Sequence, residues 1–233
     1  MSPVGFSGVN SWIFDLDNTL YPAHSNLFPQ IDEKISDYVQ KITGKSRVEA
    51  RAIQKSYYKN YGTTLRGLMV NHEVEPDDFL EFVHDIDHSE LDYNHNLRSA
   101  IEQLPGKCYI MTNGSKKHAE AVAHKLGIHD QFEEIFGIME AGFIPKPEEQ
   151  AYSLFLQKNN ISPHKAVMFE DLSRNLLIPD QLGMKTVLVV PQGTREVFRE
   201  DWEMEGQNEK HVHFITEDLG GFLHSVINQL PSG

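Results

Sequence analysis

Five short apolar and β-branched runs constrain this chain more than any other feature of its sequence. They lie at residues 11–16, 107–111, 166–169, 186–190 and 212–215. None alternates cleanly between apolar and polar, so each reads as a strand covered on both faces, the habit of parallel sheets. Helical stripes separate them. Residues 116–126 place Ala119, Val122, Ala123 and Leu126 on one side, and Gly127 can close that helix in a left-handed conformation. Residues 148–158 repeat the device with Ala151, Leu154 and Phe155. Strand and helix in alternation predict a doubly wound α/β sheet.

One stretch interrupts the alternation. From about residue 21 to 104 helical patterns follow one another with no convincing strand. Ile31, Ile35, Tyr38 and Ile42 form a stripe, and Ser46 and Glu49 have capping-box spacing for the next helix. Pro76 suits a helix first turn, and Leu97, Ile101 and Leu104 make a last stripe. The economical division is a core from residues 1–20 and 105–233, with a helical domain of residues 21–104 inserted after the first strand.

Composition narrows the partners. A formal net charge of −13 argues against nucleic-acid polymers, which are held mainly by Lys and Arg on phosphates. Small anionic substrates stay possible, because a divalent cation and one lysine can reverse the field locally. No window approaches the roughly 20 apolar residues of a membrane span. The opening MSPVGFSGVNSW lacks the regions of a signal peptide, and the single cysteine, Cys108, fits a reducing cytoplasm. Its apolar setting, KCYIM, predicts an inert buried thiol. The twelve histidines are scattered, and the pair His211 and His213 is expected on the solvent face of a strand, with structural roles.

Ligands of open α/β sheets sit at the carboxyl ends of the strands. The first strand runs into Asp15-Leu16-Asp17-Asn18-Thr19, whose two carboxylates point to one side of an extended chain. Two such charges need a cation or a shared proton to be buried together. The second strand ends in Thr112-Asn113-Gly114-Ser115, a hydroxyl and free amides at a helix start that can cradle phosphate. Another strand ends in Glu170-Asp171, and Lys146 stands between Pro145 and Pro147, where the backbone has little freedom. Each piece alone is explained by a turn, a cap or a solvated edge. Four in this order point to a site.

The set resembles the four motifs of the haloacid dehalogenase-like hydrolase superfamily, over essentially the whole chain. That resemblance implies a Rossmann-like parallel core with an inserted α-helical cap. FDLDNTLYP, SYYKNYGTTLRGL and FEDLSRNLLIPDQLGMKTVLV are similar to its pyrimidine 5′-nucleotidase branch, with YYKNYGTTLRGL carrying most of the weight. By resemblance, Asp15 is the nucleophile and a Mg²⁺ ligand, and Asp17 is the general acid/base and lends its carbonyl to the metal. Thr112 and Asn113 hold the phosphoryl group and Lys146 neutralises it. Asp171 ligates the metal directly, Glu170 acts through a water, and Asn175 lies further out. Many relatives carry paired aspartates where this chain has Glu170-Asp171.

The implied reaction splits ester hydrolysis into two steps through an aspartyl phosphate, with Mg²⁺ offsetting charge. The implied substrate is a small phosphate monoester, most specifically UMP or CMP. A dehalogenase would have no use for Asp17, and a scaffold would be expected to lack a motif residue. Another phosphatase, for phosphoglycolate or a sugar phosphate, or a phosphosugar mutase would carry the same motifs. Choice among them falls to the cap, where Tyr21, His24, Tyr57, Tyr58, Tyr61 and Arg66 are candidates for holding a base or ribose.

Overall fold

The structure, a computed structural model, describes residues 5–22, 24–191 and 206–230. Among them six strands form one parallel sheet. They are β1 (Ser11–Phe14), β2 (Lys107–Met111), β3 (Phe132–Phe136), β4 (Ala166–Glu170), β5 (Lys185–Val189) and β6 (Phe214–Thr216), in the spatial order β3-β2-β1-β4-β5-β6. The helices are α1 (Leu27–Thr43), α2 (Arg47–Tyr61), α3 (Thr64–His72), α4 (Pro76–Val83), α5 (His95–Glu102), α6 (Lys116–Leu126), α7 (Glu149–Lys158), α8 (Leu177–Gln181) and α9 (Leu219–Ile227). The chain builds outward from β1 to β3, then returns to the far side of β1 to lay down β4. The order therefore reverses between β1 and β4, where an open sheet presents its crevice.

Both sheet faces are covered, which is why the strands read as continuous apolar runs. Trp12, Phe14, Ile110, Val167, Phe169 and Val187 face a core closed by α5, α6 and α9. Ile13, Tyr109, Met111 and Met168 face the other way, against α7 and its Tyr152 and Phe155. Phe169 is the centre of the first layer. Its ring stacks on Phe14 at 4.7 Å and meets Trp12 at 6.5 Å and Phe222 at 6.2 Å. Burial pushes the Cys108 thiol up to about 12, as suits an inert side chain in β2.

Helices α1 to α4 form their own cluster around Tyr38, Val39, Leu65, Leu68, Phe79 and Val83, joined from the core by Ile138. The Ser46–Glu49 capping box is present and starts α2. A buried polar pin ties α1 to α2: Asp32 accepts from Arg51 at 2.7 Å, Lys55 at 2.8 Å and Gln54 at 2.9 Å. Helix α5 behaves differently. Its Leu97, Ala100 and Ile101 pack on the sheet with α9 rather than with α1 to α4.

Several expected limits move. The first strand stops at Phe14, and the chain leaves the ladder before Leu16 and turns over residues 16–20, with Asn18 left-handed at φ 60°. Strand β3, FEEIF, was not anticipated. It is an edge strand whose Glu133 and Glu134 reach outward to Lys107 and Lys158, so it lacks the apolar signature of the interior strands. The last strand begins at Phe214, so His211 and His213 precede it instead of alternating on its outer face. His211 bonds Ser173 Oγ at 2.9 Å, and His213 accepts from the Thr186 amide at 3.2 Å.

The central aromatic stack gives a stability test. Phe169→Ala removes a fully buried ring from three aromatic contacts, so the unfolding free energy should fall by about 3–5 kcal/mol. Urea denaturation measures it, and a loss below about 1 kcal/mol would contradict the packing described.

Candidate active site

The motif residues meet where the strand order reverses. Asp15 follows β1 directly, and its amide donates to Phe169 O at 2.9 Å, so strand pairing fixes its backbone. Its Oδ2 accepts from Thr19 Oγ1 at 3.1 Å and its Oδ1 from Lys146 Nζ at 2.7 Å. The Lys146 ammonium, 1 % exposed, uses its other two hydrogens on Glu170 Oε1 and Met111 O, both at 2.9 Å. That places three acceptors from β1, β2 and β4 around one nitrogen.

Lys146 is itself held. Asn113 Oδ1 accepts from the Lys146 amide at 2.8 Å, and Asn113 Nδ2 donates to the Lys146 carbonyl at 3.1 Å. The side chain expected to hold phosphate is thus a clamp on the lysine backbone. Thr112, 4 % exposed, lines the cavity and its hydroxyl accepts from the Gly114 amide at 2.9 Å. Glu170 is held through both oxygens: Oε1 accepts from Lys146 and from Asn175 at 2.6 Å, and Oε2 from the Leu172 amide at 2.7 Å.

The carboxylates of Asp15, Glu170 and Asp171 are all buried, with ligand atoms within 4.8 Å of one another. Three carboxylates against the one Lys146 ammonium would leave two negative charges. Burial pushes Asp15 up to about 7, against the pull of Lys146, with Glu170 and Asp17 adding to the rise. Glu170 goes the other way: burial raises it, but Lys146, the Leu172 amide and Asn175 hold it below its ordinary value. Burial also works against the Lys146 ammonium, yet Asp15 and Glu170 keep its pKa raised. A divalent cation with oxygen ligands fits this donor set and this residual charge.

Asp17 has a different environment. Its Oδ1 accepts from Tyr21 Oη at 2.5 Å and from His118 Nε2 at 3.2 Å. Burial acts to raise its pKa, but His118 and Tyr21 outweigh burial and leave it lowered. His84 stacks on His118 with centroids 4.4 Å apart. Burial, and after it the neighbouring His118, takes His84 down to about 3, so that ring is neutral. These histidines are far apart in sequence, and no spacing signal could have united them.

Above the carboxylates lies a cavity of about 150 Å³. Phe28, Ile31, Ile35, Leu65, Phe79, Leu80 and Val83 give it an apolar wall, and Gln54, Lys55, Tyr58 and Thr63 bring polar groups. Tyr58 also lies under the Arg174 guanidinium, 4.8 Å from the ring centroid. Of the expected substrate contacts, Tyr21, His24, Tyr57, Tyr61 and Arg66 do not line this cavity. Tyr21 is buried with its hydroxyl on Asp17. Tyr57 packs so tightly against Gly67 that a Cβ there would come within 2.4 Å of it, and its hydroxyl meets His72 Nε2 at 2.9 Å. Tyr61 stands edge-on to Tyr57, its hydroxyl accepting from Asn71 at 3.2 Å. His24 is exposed beside a second, separate pocket. The Arg66 amide is taken up in capping α3 through Thr63. Helix spacing alone does not say which side of α2 looks inward.

Comparison with known proteins places this geometry. Residues 11–176 match a family model for haloacid dehalogenase-like hydrolases. Phosphate metabolism protein 8 of Saccharomyces cerevisiae is 26 % identical in an alignment 214 residues long that covers 84 % of this chain and 64 % of that protein, so the chain spans under two thirds of its relative's length. The fold is shared with a HAD phosphatase from Thermococcus onnurineus (TM-score 0.60, 18 % identity, 94 % of this chain and 97 % of that one). It is shared equally with L-2-haloacid dehalogenase from Xanthobacter autotrophicus (TM-score 0.58, 13 % identity, 95 % and 99 %). Among the described residues no helix is long and apolar enough to cross a membrane.

Proposed function

The chain belongs to the haloacid dehalogenase-like hydrolase family, and we propose that within it this protein is a Mg²⁺-dependent phosphatase of small phosphate monoesters, acting through Asp15. One observation carries the reading: Asp15, Lys146, Glu170 and Asp171 share one buried cluster under the cavity, with an acidic residual charge. Asp17 and Thr112 border the same cavity. A dehalogenase needs neither Asp17 nor a cation. The name of the yeast relative, which refers to phosphate metabolism, agrees with phosphate chemistry.

Asp15 would attack phosphorus, and Lys146 with the Thr112 hydroxyl would offset charge on the phosphoryl oxygens. Asn113 would contribute its backbone N–H, since its side chain clamps Lys146. Asp17 would protonate the departing alkoxide and later take a proton from water. The approach of an anionic phosphate raises its readiness to hold that proton. A Mg²⁺ ion bound by Asp15, the Asp17 carbonyl and Asp171 would supply electrostatic stabilisation. Glu170 would act through water, in keeping with the bonds to the chain that engage both its oxygens.

The division into a core and an inserted cap belongs to the same proposal, with the cap's expected end at residue 104 drawn back to before α5, because α5 packs on the sheet. For the leaving group we favour a pyrimidine nucleoside, from the resemblance of YYKNYGTTLRGL. The cavity supports a flat ring, with Tyr58 offering a stacking face and Lys55 a donor for the O2 carbonyl. The setting proposed is the cytoplasm.

Three tests follow from these assignments. Asp15→Asn should fold and lose at least about three orders of magnitude in turnover; near-normal activity removes Asp15 as nucleophile. Calorimetric titration of Mg²⁺ should find binding weakened far more by Asp171→Ala than by Glu170→Gln, and the reverse order exchanges their roles. In a panel of monoesters, kcat/KM for UMP and CMP should exceed that for AMP and GMP, with Tyr58→Ala narrowing the gap. A panel led by phosphoglycolate or a hexose phosphate would discard the nucleotide reading and keep the phosphatase.

A further inference from the structure

Asp17 is gripped by groups outside the four motif cores. Among the described residues two donors reach its carboxylate, Tyr21 Oη and His118 Nε2, and they meet the same oxygen, Oδ1. His118 is 2 % exposed, and among the described residues its Nδ1 has no partner, so the ring faces Asp17 as an Nε2–H donor. His84, which ends α4, lies flat on it with the ring planes within 7°. The Nδ1 of His84 is 3.0 Å from Ser115 Oγ, the hydroxyl that caps α6 by accepting from the His118 amide at 3.2 Å. His118 belongs to the sheet core and His84 to the α1–α4 layer.

Two donors on one carboxylate oxygen stabilise negative charge there, so a proton taken up by Asp17 belongs on Oδ2. They also hold the carboxyl in one rotation. A short acid freed of them would point its proton in several directions, and a misplacement of about 1 Å at a reacting centre is enough to lose much of the rate.

We propose that His118 is the positioning residue that aims the Asp17 carboxyl at the leaving-group oxygen, and that His84 steadies His118 from the α1–α4 layer. This rests on the reading of Asp17 as proton donor. It makes leaving-group protonation depend on the helical layer being seated, so the reaction is completed only when both parts of the chain are in contact.

The test compares phenyl phosphate with p-nitrophenyl phosphate, two esters of nearly one shape, of which only the first needs its leaving group protonated. In kcat/KM, which ends at the first irreversible transfer, His118→Asn should lower the phenyl-to-nitrophenyl ratio at least about tenfold. His118→Gln, whose longer amide can still donate, should recover part of that loss. His84→Ala should lower the ratio and His84→Phe, which keeps a flat ring, should restore it. Thermal melting of each variant separates these effects from folding. Equal slowing of both esters in folded His118 variants overturns the proposal. Crystal structures read the same claim without turnover, with Asp17 in one rotamer in the unaltered protein and turned or split in His118→Asn. An unmoved Asp17 also overturns it, whereas an unaltered protein that releases phosphate from no ester defeats the phosphatase reading instead.

Discussion

The Lys146 ammonium is the interaction on which the rest of the site depends. Buried carboxylates close enough to share a cation repel one another, and each would be driven to take up a proton. Lys146 meets Asp15 and Glu170 at once and fills its third position with Met111 O, so it joins the ends of β1, β2 and β4. An ammonium in that position is itself expensive to bury unless every donor is matched, and every one is. Its loop could not hold it alone. Asn113 grips the lysine backbone from both sides and ties the second strand's end to the same point.

That dependence assigns unequal duties to the two neighbouring acids. Glu170, with both oxygens engaged by the chain, is a counter-charge that sets Lys146, and its lowered pKa reflects those bonds. Asp15 is the carboxylate whose burial is incompletely offset, which makes it the group most responsive to an incoming cation or phosphate. On the function proposed above, environment alone then separates the reactive acid from the settled one, since the side chains are chemically alike.

Much of this was legible in the order of residues. The β2 run of residues 107–111 and the α6 run of 116–126 appear within the bounds that apolar pattern and caps predict, because interior elements obey one dominant constraint. The four motifs are legible for a related reason: three sit at the ends of such strands, where chain direction settles their place, and Lys146 is marked by the prolines on either side of it. Strand β3 escaped because an edge strand answers to solvent as well as core, and FEEIF shows the mixture. The histidines at Asp17 escaped because His84 and His118 meet only through packing between distant segments. Tyr57 and Tyr58 show the limit most sharply. They are adjacent on α2, yet one packs on Gly67 and the other lines the cavity, a difference set by the rotation of α2 against α3.

The rotation and seating of α2 therefore set which side chains line the cavity. Gln54, Lys55 and Tyr58 all enter the cavity from this one helix, with Thr63 just beyond its end. Beside its apolar packing, α2 is pinned to α1 by polar bonds: Asp32 of α1 collects Arg51, Lys55 and Gln54, and the Gln54 carboxamide also accepts from Ser36. On the core side, Arg174 covers the Tyr58 ring from the loop that follows β4. These contacts resemble ordinary helix-to-helix pinning, and energetically they are that. Because the pinned Asp32, Gln54 and Lys55 are also part of the cavity's polar lining, a change in the pin must also move that lining. On the function proposed above, stability of the helical layer and discrimination among substrates are then two consequences of the same few bonds.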